Sequence, residues 1–266
     1  MSYIKKAEEM RAIIDGGKLM GGILERLVCL AVPGVTGAVL DMEAERLIRE
    51  AGGVPAFKGY RGRKSDPPFP GTMCFSVNKE LVHGIPTKEK IIHGGDIVSL
   101  DIGMRWPGKN GYFTDTAVTV IVGNAPKEVK KLIEVTREAL EAGIRAVTVG
   151  GTIADIGKAV ETYVKSQGSY GIICDLVGHG VGHAVHEEPR VPNYYDKSLE
   201  SWKIEPGVVI AIEPMISLGG HAVETADDGW TILTKDRSFS AHFEHTIVVT
   251  EDGPIVATRR PLEMTG

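Results

Sequence analysis

From residue 4 to residue 30, Ile4, Ala7, Met10, Ile13 and Ile14 recur near a spacing of 3.6 with Lys and Glu between them. That period predicts a long amphipathic helix, ended by Pro33-Gly34. Thr36 is a candidate cap for a second helix carrying Val39, Leu40, Ala44, Leu47 and Ile48 and stopped by Gly52-Gly53. Residues 54–72, rich in Gly, Pro and charge, read as a long loop. Beyond it, residues 73–77 read as extended, Val82-His83-Gly84-Ile85-Pro86 as a turn, and residues 97–102 and 113–122 as strands.

A second round follows in the same order. Residues 127–147 predict a helix with Val129, Leu132, Ile133, Leu140 and Ile144 on one face. Thr152 caps the next, with Ile153, Ile156, Val160 and Val164, stopped by Gly168. Strand-like runs come at 208–212, 230–233 and 245–249, and Asp227-Asp228-Gly229 is a hairpin-type turn signal. The rounds echo each other in detail. Gly95-Asp-Ile-Val-Ser-Leu-Asp101 matches Gly207-Val-Val-Ile-Ala-Ile-Glu213, and Phe113-Thr-Asp115 matches Phe243-Glu244. Val82-His83-Gly-Ile-Pro86 matches Val185-His186-Glu-Glu-Pro189. The pattern implies one domain over residues 1–266, built from a repeat of about 5–122 and 127–250.

Composition narrows the class. With 266 residues, 42% of them apolar, the chain can bury a sizeable core. A net charge of −5 and a pI near 5.9 argue against a nucleic-acid or anionic-membrane surface. The short basic run Arg61-Gly62-Arg63-Lys64 reads as a solvated loop. Cys29, Cys74 and Cys174 form no disulfide framework and suit a reducing compartment. No signal-peptide pattern opens the chain, and no apolar run approaches the ~18 residues of a membrane span. A soluble cytoplasmic protein is expected.

The candidate chemistry centres on Leu176–Pro189, where His179, His183 and His186 are interleaved with Gly178, Gly180 and Gly182. Neutral imidazole binds divalent transition metals. Each half adds an acid at the end of an apolar strand (Asp101, Glu213), a second acid opening another strand (Asp115, Glu244), and a histidine ahead of a proline (His83, His186). A carboxylate in so apolar a strand is costly unless paired or metal-bound. If the halves pack about a two-fold axis, these groups converge, and two divalent cations would neutralise them. An oxygen-rich shell with one histidine suits Mn, Fe or Co, with Zn also compatible.

The order of these motifs resembles the methionine aminopeptidases of the pita-bread fold. The matching segments are Cys74-Phe-Ser-Val-Asn78, Val82-His-Gly-Ile-Pro86, Val98-Ser-Leu-Asp101, Phe113-Thr-Asp115-Thr, Gly178-His-Gly-Val-Gly182, Val185-His-Glu-Glu-Pro189, Ala211-Ile-Glu-Pro-Met215 and Phe243-Glu-His-Thr246. The short interval between His186 and Glu213 leaves no room for the helical insertion of type II enzymes, so the resemblance is to type I. It implies an α+β fold of two pseudo-symmetric helix–helix–strand halves around a central curved antiparallel sheet. It implies two divalent metal ions (Co, Mn, Fe or Zn). Asp101 and Asp115 would ligate one and His179 and Glu213 the other, with Asp115 and Glu244 bridging. Glu213 would be the general base for a metal-bridging water, His186 would stabilise the oxyanion, and His83 would contact the scissile amide. The methionine pocket would comprise Phe57, Tyr60, Cys74, Val185 and Trp230. Phe57 stands where a small Cys is common and Val185 where an aromatic is common, a volume exchange across one pocket. His183 is expected in a loop or behind the ligands, and His245 in a structural role.

The implied substrates are peptides and nascent chains beginning with Met and a small second residue, with transient ribosome contact, no DNA or membrane partner, and a monomeric state. Three other readings compete. A proline-directed relative usually carries a large extra N-terminal domain. A non-catalytic binding module of the same fold would have lost ligands. A carboxylate-pair glycosidase would leave His179 and the paired His-Pro turns unexplained.

Overall fold

The computed structural model describes residues 3–62, 64 and 66–264. Arg63, within the basic run, lies outside the described residues. The first half contains helices α1 (Ala7–Leu30) and α2 (Gly37–Glu50), then strands β1 (Val54–Pro55), β2 (Met73–Val77), β3 (Glu80–Val82), β4 (Ile97–Trp106) and β5 (Tyr112–Ile121). The second half contains α3 (Lys127–Arg145), α4 (Ile153–Gln167), β6 (Gly171–Ile172), β7 (Gly178–Gly180), β8 (Glu187–Val191), β9 (Val209–Ile212) and β10 (Met215–Ser217). It ends with β11 (Val223–Thr225), β12 (Ile232–Thr234), β13 (Ser240–His242), β14 (Glu244–Thr250) and β15 (Gly253–Val256).

The main antiparallel sheet runs β1-β4-β5-β14-β9-β7-β8, with β2 also paired to β4 and β15 to β14. Two smaller sheets, β13-β10-β6 and β11-β12-β3, complete the strands. Helix faces and sheet meet in one apolar core. Met20, Leu24 and Leu27 of α1, Leu40 and Ile48 of α2, and Leu132 and Leu140 of α3 pack with Leu100, Ile102, Val118, Ile210 and Ile247. Each such side chain contributes roughly 1.5–3 kcal/mol on burial. This is the α+β architecture that the resemblance implied.

The helix caps read from sequence are present. The Thr36 hydroxyl accepts from Val39 N at 3.3 Å, and Thr152 and Asp155 form a reciprocal capping box. The Asp227–Gly229 turn joins β11 to β12. Several boundaries differ, and the following are set by specific partners. Helix α1 begins at Ala7 rather than residue 4. Lys5 N donates instead to Gly207 O at 2.8 Å, and its buried ammonium pairs with Glu187 Oε1 at 2.8 Å. β4 continues to Trp106 because Gly103–Trp106 pair with 112–115, and the stretch read as loop gives up Val54–Pro55 to the edge of β4. β12 starts at Ile232 rather than Trp230, because the Asp228 carboxylate accepts from Trp230 N, Thr231 N and Thr231 Oγ1. Among the described residues no helix is long and apolar enough to cross a membrane.

Candidate metal centre and apolar cavity

Sheet register builds the site. Cys74 pairs with Asp101, Asp101 with Ala117, and Ala117 with Glu244, a continuous row across β2, β4, β5 and β14. Directly paired residues share a face, and residues two apart along a strand return to it. Asp115, two before Ala117, therefore joins Asp101 and Glu244 on the face turned away from Leu100 and Ile102. Glu213 follows the last residue of β9, which is β14's neighbour, and His179 sits in β7 beyond it. Thr246 locks the β5–β14 junction: its hydroxyl accepts from Asp115 N at 2.9 Å and donates to Asp115 O at 2.8 Å.

Three sets of potential ligand atoms each fall within 4.8 Å of one another: Asp101, Asp115 and Glu244; His179, Glu213 and Glu244; and Asp115, His179 and His186. The first two share Glu244. His179 Nδ1–H donates to Gly180 O at 2.9 Å, so in the neutral ring the lone pair is on Nε2. That nitrogen faces Glu213 Oε1 at 3.5 Å, Asp115 Oδ2 at 3.9 Å and Glu244 Oε1 at 4.0 Å. Such separations are long for hydrogen bonds. They suit a cation held between the atoms at ligand distances of ~2.0–2.2 Å. Asp101 Oδ1 and Asp115 Oδ1 are buried without a hydrogen-bond partner, a costly state that a bound cation would relieve. The donor set thus fits divalent metal.

Electrostatics agree. Burial pushes the Asp101 carboxyl up to about 6. Burial, with the neighbouring acids behind it, holds Asp115 and Glu244 well above the ordinary range. Burial would raise Glu213 too, but His242, whose Nε2 lies 3.3 Å from Glu213 Oε2, leads the groups that leave it below its ordinary value. His83 is lowered by burial to about 4, and His186 by burial and by His179 to about 3, so both are neutral near pH 7.

The cluster forms one wall of a cavity of about 640 Å³, whose other wall includes Phe57, Tyr60, Phe69, Cys74 and Trp230. Four of the five residues expected in the pocket border it. Val185 does not. Its short side chain packs behind, in the apolar cluster of Phe57, Phe69 and Cys74. Phe57 lies against Gly103, where an added Cβ would come within 2.6 Å of the ring. His83, at φ 58 in the left-handed region, presents its ring edge-on to Trp230 with centroids 6.5 Å apart. Gly84 beside it cannot carry a side chain, since a Cβ would meet Phe75 O at 2.2 Å.

Phe69, Met215 and His242 also border the cavity and were missed from sequence. Phe69 lay hidden in the Gly- and Pro-rich stretch that reads as a long loop, yet its ring packs edge-on against Trp230 at 5.3 Å. His242 carried a usable signal: it stands two residues before Glu244. Its Nε2 lies 3.3 Å from Glu213 Oε2. His183 is turned away from the cluster, its Nε2 3.2 Å from Glu9 Oε1. His245 faces the C-terminal tail, with Nδ1 3.0 Å from Thr258 Oγ1 and Nε2 3.4 Å from Glu263 Oε2.

Buried carboxylates and a bare imidazole nitrogen at the end of an apolar cavity define a metalloenzyme-type site. Comparison with known proteins agrees. The model of metallopeptidase family M24 matches residues 11–251. The methionine aminopeptidase of Clostridium acetobutylicum is 40% identical over 258 residues, 97% of this chain and 99% of the relative. That of Borreliella burgdorferi is 43% identical over 253 residues, 95% of this chain and 96% of the relative. The crystal structure of a methionine aminopeptidase from Thermotoga maritima superposes with a TM-score of 0.89 at 38% identity, covering 97% of this chain and 99% of that one. The chain belongs to metallopeptidase family M24 and has its pita-bread fold.

Proposed function

We propose that the protein is a methionyl aminopeptidase, which hydrolyses the first peptide bond of peptides and nascent proteins that begin with Met and a small second residue. The observation that carries this reading is the convergence of Asp101, Asp115, His179, Glu213 and Glu244 beside a cavity lined by Phe57, Tyr60, Phe69, Cys74 and Trp230. Relatives that share nearly the whole chain are named for this activity.

Asp101 and Asp115 would hold one divalent cation and His179 and Glu213 a second, with Asp115 and Glu244 common to both; the metal is Co, Mn, Fe or Zn. When bound, the pair would supply Lewis-acid polarisation of the substrate carbonyl and make water nucleophilic near neutral pH. The protein's own groups do the rest. Glu213, ionised at neutral pH, accepts the proton of the attacking water and passes it to the leaving amine. His186 donates an N–H to the oxygen on which negative charge develops. His83 hydrogen-bonds the scissile amide. The apolar wall takes the methionine side chain and Val185 backs it. Residues 1–266 act as one catalytic unit of two related halves, about 5–122 and 127–250. The same reading makes the enzyme a cytoplasmic monomer that meets nascent chains at the ribosome.

The test is N-terminal release from Met-Ala-Ser and Ala-Pro-Ser by chelator-stripped protein with Mn, Co, Fe or Zn added back. Metal-dependent release of Met alone is expected, abolished in Glu213→Gln. Cleavage of Ala-Pro instead would assign a proline-directed enzyme, and no release under any metal would overturn the peptidase reading.

A further inference from the structure

Two imidazoles of one short stretch, His179 and His186, pack edge-on with ring centroids 4.3 Å apart and planes at 72°. Their Nδ1 atoms meet opposite kinds of partner. His179 Nδ1 faces a backbone carbonyl, which can only accept. His186 Nδ1 lies 2.7 Å from the hydroxyl of Tyr60, whose ring centroid is 5.1 Å away at 64°. Among the described residues this nitrogen is the only hydrogen-bond partner of the hydroxyl.

Tyr60 is held independently of the long loop that follows it. Its N donates to Phe57 O, Phe69 N donates to Tyr60 O, and Gly59 N donates to Phe69 O, each at 2.8 Å. These backbone bonds close the base on which the phenol sits and fix its position.

A neutral imidazole has one N–H. Were it on Nδ1, the phenol oxygen would have to accept it, the phenol hydrogen would lose its protein acceptor, and Nε2 would offer only a lone pair. With the phenol donating to Nδ1, both groups are satisfied and the imidazole hydrogen sits on Nε2. We propose that Tyr60 is a positioning residue that fixes the tautomer of His186, holding Nδ1 as acceptor so that Nε2–H is presented to the carbonyl oxygen of the substrate. Gly180 O and the Tyr60 hydroxyl thereby sort two neighbouring histidines into opposite roles, a bare Nε2 for a cation and a protonated Nε2 for an oxyanion. The catalytic half of this statement rests on the peptidase reading; the tautomer does not.

Nitrogen NMR of protein labelled with 15N-histidine, stripped of metal and then loaded with zinc, reads the tautomer directly, with His186→Ala assigning the signals. His186 is expected as the Nε2–H form in wild type and as a mixture in Tyr60→Phe. With Met-Ala-Ser, Tyr60→Phe should lower kcat in proportion to the fraction of His186 left as Nε2–H, about twofold for an even mixture, with KM nearly unchanged. In a His186→Ala background the same substitution should cost nothing further. Hydrogen on Nδ1 in wild type, or a tautomer indifferent to Tyr60→Phe, would overturn the proposal. So would a change confined to KM that adds to that of His186→Ala, which would make Tyr60 only a pocket wall. The expected tautomer in a protein that releases no Met would uphold the hold of Tyr60 on His186 and sink the peptidase reading instead.

Discussion

Gly103→Ala tests how the cavity is shaped. Gly103 lies opposite Asp115 in the β4–β5 register and carries the ring of Phe57. A Cβ there would stand 2.6 Å from Phe57 Cε1, 2.9 Å from Cζ and 3.1 Å from Ala56 Cβ. Ordinary carbon contacts are ~3.5–4.0 Å, so the ring must retreat by about 1 Å. The strand cannot give way, because Ala56 N donates to Gly103 O at 2.9 Å and β5 holds the other edge. Phe57 borders the cavity, so its way out is inward. Overpacking of this kind costs about 1–3 kcal/mol, a fall in Tm of roughly 2–4 °C per kcal/mol for a chain of this size. A displacement of about 1 Å at a substrate-contacting ring can cost up to ~100-fold in rate. The assay is kcat and KM for Met-Ala-Ser, beside a thermal melt. Gly103→Ala should raise KM by about tenfold or more, and Phe57→Leu in the same chain should restore most of it. Unchanged kinetics in Gly103→Ala, or penalties that simply add in the double variant, would refute this packing.

Removing the proton acceptor in Glu213→Gln should cut kcat by ~10²–10⁴-fold, and calorimetry should show weaker metal binding, since the same side chain is a proposed ligand. Chelator-stripped protein should gain stability when a divalent cation is restored, by about 2.7 kcal/mol at a hundredfold excess over Kd, and Asp101→Asn should shrink the rise in Tm. Acid stability should depend on Glu263. Burial would raise its carboxyl, but His245 and Arg260 outweigh burial and bring it to about 2 from the ordinary 4.5. A depressed carboxyl stabilises the fold above its unfolded pKa and loses that effect as pH falls through the folded one. Melts of wild type and Glu263→Gln should therefore differ most above about pH 4.5 and converge as the pH falls toward 2.

Much of the fold was legible because helix period and cap chemistry are local. Thr36, Thr152 and Gly168 punctuate the helices where their side chains or φ values require it. The acids were legible for a different reason. A carboxylate at the end of Val98-Ser-Leu-Asp101 or Val209-Ile-Ala-Ile-Glu213 is conspicuous in so apolar a strand, and both lie at the centre. What stayed hidden depends on distant partners. Helix α1 starts late because Lys5 finds Gly207 and Glu187, far along the chain. Phe69 is buried by a loop closure onto Tyr60 that no period announces. Val185 aligns with a pocket position, yet Phe57 and not Val185 borders the cavity. His242 could have been found by counting two back from Glu244, although the chain changes sheet between them at Phe243.

The most direct measurement is a titration of chelator-stripped protein with Mn or Co, following heat of binding and Met release from Met-Ala-Ser in the same samples. Activity should be absent without metal, appear as cation binds, and level off by two equivalents per chain, with Glu244→Gln losing tight binding and activity together. Met release that persists in the stripped protein, or tight metal binding that survives removal of the carboxylates of both Asp115 and Glu244, would contradict a catalytic metal centre built from these residues.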